Sequence, residues 1–300
     1  MNRSFYILLL LLSAGLIKGH DLEPRLTAMA PTGLNFAAAS YAYSNGNILT
    51  DVALPVDDLE ATIHSIGVAY VRTFKLFGRL NKFDAVASYN FAKWNLDAYE
   101  EDTSTTRIGF GDPFLRWSII LVGGPALTPG EFANATLKKF RLGFGIRVRV
   151  PIGQYDPERA LNIGLNRWMV KLSLGSAYQL KKMLFELKFA TWFYAPNYDF
   201  YGGNVIRQQP IFSLQTHWSY VFRPGLWLAL SFDIYGGGEL SLNGGEYKNI
   251  IENTRAGVAL AIPIAKQHAI KVALNLGTSA RFGANFTTLA IAYQFMWTKK

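Results

Sequence analysis

Between Lys139 and Val150 every second residue is large and apolar: Phe140, Leu142, Phe144, Ile146, Val148 and Val150. Lys139, Arg141, Gly143, Gly145, Arg147 and Arg149 fill the positions between. Successive side chains of a strand point to opposite faces, so this segment has one greasy face and one basic, partly empty face. A helix would scatter both sets around its circumference. The same period of two returns where Trp168, Val170, Leu172 and Leu174 oppose Arg167, Met169, Lys171 and Ser173. It returns again where Phe185, Leu187 and Phe189 oppose Glu186, Lys188 and Ala190, and in four further stretches up to Trp297.

Soluble sandwiches also alternate. Length and connection pattern separate the two cases. The alternating stretches run to about 10–14 residues, against about 5–6 for soluble strands and about 9–11 for tilted membrane strands. Short connections (Phe77–Asn81, Gln179–Met183, Phe222–Gly225, Ile264–His268) alternate with long polar ones (Ser44–Ala61, Asn95–Thr105, Gly153–Asn166, Ala195–Gln209, Gly236–Asn253). Short turns on one side and long loops on the other mark an outer-membrane barrel. The expected fold is all-β, a transmembrane antiparallel up-and-down β-barrel of about twelve strands. These are Leu34–Tyr43, Ile63–Leu76, Lys82–Trp94, Thr106–Val122, Lys139–Val150, Arg167–Tyr178, Leu184–Tyr194, Ile211–Val221, Leu226–Tyr235, Arg255–Pro263, Ala269–Leu276 and Phe286–Trp297. The connection Gly123–Leu137 is longer than a periplasmic turn needs. The first two strands alternate poorly, with Arg72 on the face of Val68 and Tyr70, and their faces stay unassigned. Gly111-Asp112-Pro113 reads as a kink or bulge in a long strand.

The chain has 300 residues, 50% of them apolar and 17% charged, which excludes disorder. It lacks cysteine, so disulfides, thiolate metal sites, a catalytic thiol and a lipid-modified cysteine are all excluded. Arg3 and the apolar run Tyr6–Ile17 read as a secretory signal over residues 1–19, cleaved after Gly19, with Ser13–Gly15 as a competing site. The run is too short for a spanning helix, which needs about 20 apolar residues. Residues 20–300 then form a single barrel domain located in the bacterial outer membrane.

The net charge of +9 is spread along the chain and alternates toward a lumen, which speaks against nucleic acid. The basic lumen ladder comprises Arg116, Lys139, Arg141, Arg147, Arg149, Arg167, Lys171 and Lys188, with Arg255 and Lys271 further along. Asp84, Asp112, Glu186 and Asp233 face the same way. Arg and Lys linings are used for anions. The small inward residues Gly143, Gly145, Gly175 and Ala190 are expected to leave space beside the ladder, and Trp94, Trp192, Tyr194 and Tyr235 to lie near the outer mouth. Gln154, Tyr155 and Asp156, in the loop Gly153–Asn166, either fold into the mouth as contacts or serve ordinary turn chemistry. The four histidines lack metal-ligand spacing, and neither His64 nor His217 meets a serine where lipid could reach it. No catalytic residue, metal or cofactor is expected.

Asp21-Leu22-Glu23-Pro24-Arg25, Tyr70-Val71-Arg72-Thr73-Phe74 and Gly109-Phe110-Gly111-Asp112-Pro113 stand in order along the chain. Pro151-Ile152-Gly153-Gln154-Tyr155-Asp156-Pro157 and Asn162-Ile163-Gly164-Leu165-Asn166-Arg167-Trp168 follow them. Together these motifs resemble the outer-membrane transporter family associated with the meta-cleavage pathway of phenol degradation, from the mature start to about Lys171. The chain departs from that pattern at Lys171-Leu172-Ser173, where Lys-Pro-Glu is expected. The resemblance implies a barrel fold and an association with aromatic compounds.

Two functions remain open at this point: passive uptake of small aromatic or anionic compounds, or a closed structural or surface-interaction barrel without transport. Either requires outer-membrane lipid and the barrel-assembly machinery as partners, and the first also a small solute. Both predict that unboiled protein from outer membranes migrates anomalously on a denaturing gel; a mature chain recovered as a soluble periplasmic monomer would overturn both.

Overall fold

The computed structural model describes residues 22–49, 58–98 and 101–298. The signal expected over residues 1–19 lies outside them. In chain order the strands are β1 (Leu34–Leu49), β2 (Asp58–Leu76), β3 (Arg79–Ala98), β4 (Glu101–Phe110), β5 (Phe114–Val122), β6 (Phe140–Arg149), β7 (Met169–Leu180) and β8 (Met183–Tyr194). There follow β9 (Asn197–Phe200), β10 (Asn204–Gln208), β11 (Ile211–Arg223), β12 (Leu226–Gly237), β13 (Leu240–Leu242), β14 (Ile251–Ala265), β15 (His268–Ser279) and β16 (Gly283–Thr298). One short helix, α1 (Pro129–Asn134), lies between β5 and β6.

All wall pairings are antiparallel, and β1 pairs with β16 from Leu34↔Thr298 to Leu49↔Gly283. The 13-stranded sheet also closes through β2–β3. Since β4 and β5 are the halves of one stave, the barrel has the expected twelve staves. The small residues Ala37, Ala39 and Ala42 let β1 lie against Phe295, Tyr293 and Ala290 of β16 along this seam. The outward face carries Ile66, Val68, Trp218, Leu230, Ile234, Leu289 and Ile291, all exposed. An apolar band of this extent is tolerated because lipid, not water, meets it. At the periplasmic end Phe295 stacks on Trp297 and Tyr220 meets Phe222 edge-on, as expected of an interfacial aromatic belt.

Several expectations change. The described parts of the connections Ser44–Ala61 and Asn95–Thr105 are strand: β1 and β2 pair out to Ile48↔Leu59, and β3 and β4 out to Ala98↔Glu101. Polar residues there hid the strands, because a wall that rises above the bilayer has water on both faces. The loops Ala195–Gln209 and Gly236–Asn253 supply β9, β10 and β13, a separate three-stranded sheet. Gly123–Leu137 holds α1, begun by a capping box in which Thr128 N donates to Glu131 Oε2 (2.7 Å) and Glu131 N to Thr128 Oγ1 (3.4 Å). The Thr128 N–H and the Thr128 hydroxyl, both donating to Glu131 Oε2, hold that carboxyl below its ordinary range. Phe132 of α1 packs with Met29, Leu80 and Ile120 at the periplasmic end of the barrel.

The unassigned faces of β1 and β2 also resolve. Leu34, Phe36, Ala69 and Val71 point inward, into a core shared with Ala28, Ala30, Leu184, Trp227 and Met296. Ile66, Val68 and Arg72 point outward and are exposed. Alternation fails here because both faces meet apolar surroundings: lipid outside, and residues of the chain's own N-terminal segment inside.

Gly111-Asp112-Pro113 breaks the fourth stave as expected. Proline supplies no N–H, and the ladder with β3 lapses between Tyr89↔Phe110 and Val86↔Phe114. Above the break β4 pairs with β3 only. The loop after β6 covers its other edge: Gln154 N donates to Phe110 O (2.8 Å), and Asp112 accepts from Gly153 N (2.9 Å) and Leu165 N (2.8 Å). A Cβ on Gly153 would lie 2.6 Å from Asp112 N, so glycine is required there. Asp112→Ala deletes two charge-assisted bonds of about 1.5–3 kcal/mol each. Limited proteolysis of the folded barrel is therefore expected to cut residues 151–166 at least about tenfold faster than in the parent. Equal rates would show that Asp112 does not pin the loop.

Candidate functional site

The barrel interior is not empty. Residues 22–32 run through its lower half and bring charges together that lie far apart in sequence. Glu23, 2% exposed, receives Arg116 Nη1 at 2.9 Å, Lys188 Nζ at 3.5 Å and the Arg147 guanidinium. Arg116 also pairs with Asp84 through its Nε. On β8, two residues before Lys188, Glu186 accepts Arg25 N (2.5 Å), Thr27 N (3.1 Å) and the Thr27 hydroxyl. Lys82 Nζ donates to Leu26 O (2.8 Å) and Ala28 O (3.0 Å). The Arg25 guanidinium lies 5.4 Å from the Trp227 ring centroid, a cation–π contact, and its backbone is left-handed at φ 67°. Two carboxylates and one ammonium thus hold a short, turned segment across the lumen.

The space expected beside the ladder is therefore filled. A Cβ on Gly143 would sit 3.3 Å from Thr27 Cγ2, and one on Gly175 3.5 Å from the same atom. Glycines that read as room for a solute are the seat of the threonine. Leu22 likewise packs where Gly257 lacks a side chain.

The predicted ladder divides in three. Arg116, Arg147 and Lys188 gather on Glu23 as described. Arg141 is buried near the periplasmic rim, its Nη2 donating to Gln179 Oε1 at 3.3 Å. Lys139 is a correction: it is exposed, lies before the first residue of β6 and does not line the lumen. Toward the outer end Lys171 Nζ lies 4.4 Å from the Trp192 ring centroid, and the Arg167 guanidinium 4.7 Å from that of Tyr194. Arg167 Nη2 donates to Gln208 Oε1 at 2.6 Å, and burial lowers its pKa. Trp192 is buried and Tyr194 half-buried, each with a cation over its ring.

Gln154, Tyr155 and Asp156 do not form a constriction. Gln154 is exposed and rests against Gly109 of β4. Tyr155 donates to Asp199 O (3.0 Å) and accepts from Asn197 Nδ2 (2.9 Å), and burial pushes its hydroxyl pKa up. Asp156 pairs with Arg159 at 2.7 Å on a half-exposed surface. The turn-chemistry alternative describes them, because their polar atoms are used within the loops.

Sequence reasoning missed the roles of Glu23, Lys82 and Trp227. A signal existed for the first: an acid in a motif just ahead of the first strand. Also missed was a buried His217 Nδ1···Ser231 Oγ contact of 2.8 Å. Neighbouring Asp233 instead accepts from Gln215 Nε2 at 2.9 Å. Among the described residues no group of three or more His, Asp or Glu is arranged to hold a metal. A cavity lies between β2, β3, the β4–β5 break and the end of β6, lined by Ile63, Ser65, Asn90, Trp94, Phe114 and Arg149.

The chain matches the family described as "Putative MetA-pathway of phenol degradation" over residues 42–295. It belongs to that family. The match to the phenol-degradation family runs from β1 into β16, well past Lys171, and starts beyond the Asp21–Arg25 motif. Among solved structures the chain is similar to an outer-membrane channel from Pseudomonas putida F1. Identity there is 20%, with a TM-score of 0.75, over 92% of this chain and 100% of that one. It is also similar to the β domain of the Bordetella autotransporter BrkA: 9% identity, TM-score 0.50, 87% of this chain and 99% of that one. Both likenesses concern the fold, a transmembrane barrel of outer-membrane type. None of the curated proteins matches the chain.

Glu23→Gln leaves Arg116, Arg147 and Lys188 without the carboxylate they share, a loss of about 3–5 kcal/mol for a buried pair. Hydrogen-exchange mass spectrometry is expected to find the amides of Arg25 and Thr27 at least about 100-fold less protected in E23Q, with strand amides unchanged. Unchanged protection would mean that Glu186 and Lys82 hold the segment alone.

Proposed function

We propose that this protein is an outer-membrane channel for passive uptake of small aromatic or anionic compounds, whose lumen is occupied in the present state by residues 22–32. One observation carries the reading. The deep lumen cations are balanced in large part by Glu23, which belongs to the inserted segment and not to the wall. Withdrawing that segment removes Glu23 and leaves Arg116, Arg147, Lys171 and Lys188 facing water with Asp84, Glu186 and Asp233. A narrow passage lined by excess positive charge concentrates anions and lowers their entry barrier.

The remaining assignments follow from this reading. Outer-membrane lipid meets the apolar band, and the aromatic end of β16 is presented to the barrel-assembly machinery. Residues 1–19 direct export, and residues 20–300 form the single barrel domain. No enzymatic role is assigned: among the described residues no carboxylate is hydrogen-bonded to His217, which meets Ser231 in the lumen wall.

Liposome swelling and single-channel recordings test the reading. Benzoate is expected to enter faster than a neutral sugar of similar size, and deletion of residues 22–32 to raise conductance at least about tenfold with an anion-selective reversal potential in a salt gradient. Cation selectivity, or silence of both the parent and the deletion variant, would favour the closed structural barrel.

A further inference from the structure

The cavity between β2, β3, the β4–β5 break and the end of β6 has a chemical bias of its own. Trp94, Phe114, Ile63 and Ile163 give it apolar and aromatic walls. Its polar lining is mostly spoken for. Ser65 Oγ donates to Asn90 Oδ1 at 2.7 Å, Asn90 Nδ2 donates to Ser88 Oγ at 3.2 Å, and Asp112 accepts two backbone amides of the covering loop. Arg149 Nε differs: it is buried and is the one buried polar atom of this lining without a hydrogen-bond partner among the described residues. Arg167 is close enough for the two like charges to repel, and no ion pair between described residues engages either arginine.

We infer that this cavity is a binding site for a small aromatic monocarboxylate, with the carboxylate on Arg149 and the ring against Trp94 and Phe114. A guanidinium offers parallel N–H donors that suit a carboxylate, and a charge-assisted bond is about twice as strong as a neutral one. One anionic end matches one unfilled donor group. A second charge or a sugar's hydroxyls would meet walls with nothing left to offer them. A bound anion also relieves the repulsion between Arg149 and Arg167. The inference rests on the channel reading for the route by which ligand arrives and names the class of solute that would be held on the way.

Equilibrium binding to the full mature protein in detergent tests the site independently of flux. By isothermal titration calorimetry benzoate is expected to bind the parent, and Arg149→Gln to weaken it by at least about tenfold. Arg149→Lys should retain part of the affinity. Benzyl alcohol, the neutral counterpart, should bind more weakly than benzoate and be indifferent to R149Q. Trp94→Leu keeps the cation and removes a ring wall, so it too should weaken benzoate, and it serves if R149Q fails to assemble. Absence of benzoate binding to the parent, or equal affinity in R149Q, overturns the site. Swelling experiments that show no flux would sink the channel while leaving a measured binding site intact.

Discussion

A peptide group left unpaired in hydrocarbon loses several kcal/mol, and everything else in this molecule follows from meeting that demand. Closing the wall through β1–β16 and β2–β3 pairs the ladder around the circumference and removes the sheet edge. Where the fourth stave breaks at Gly111–Pro113, the requirement is met by other means. Gly111 N reaches Ser88 O, and Pro113 O receives Val150 N, while Asp112 ties down the loop that covers β4. A proline and two glycines in one motif, together with the turns of the loop after β6, are the local chemistry of that repair.

Closure has a second consequence. Residues that alternate away from lipid are forced into an enclosed interior, and here many of them are cations. Buried charge without a partner is strongly unfavourable. The wall supplies Asp84, Glu186 and Asp233, and the chain completes the balance by feeding Glu23 back through the lumen. Buried ion pairs are weak evidence for overall stability, because desolvation offsets most of the attraction. They are better understood as fixing position: the same segment without its acid would have little to choose between the lumen and the periplasm. The structure thus joins a permanent wall to an occupant held mostly by polar contacts, Thr27 in its glycine seat and a modest apolar core around Phe36 and Trp227.

The fold was legible wherever one side of a strand met lipid and the other met charge, as in β6, β7 and β8. It blurred where that contrast vanished. Leu34, Phe36 and Val71 face an apolar interior created by the N-terminal segment, so β1 and β2 look apolar on both sides. Asn45, Asn47, Ser104 and Thr105 extend strands beyond the bilayer, where polar residues suit both faces and mimic loops. The candidate site was legible as a list of cations but not as an arrangement. Nothing local to Lys139 distinguishes it from Arg141, yet one ends outside the strand and the other is buried near the rim.

Period-two alternation, strand length and the rhythm of short and long connections determined a twelve-stave barrel, because lipid on one side imposes a one-dimensional rule that each strand obeys by itself. What occupies the interior was decided only in three dimensions. Glu23 and Lys188 are far apart along the chain, and their meeting depends on ring closure and on where a short leading segment turns. Charge balance inside a closed cylinder is a property of the whole ring, and no window of sequence contains it.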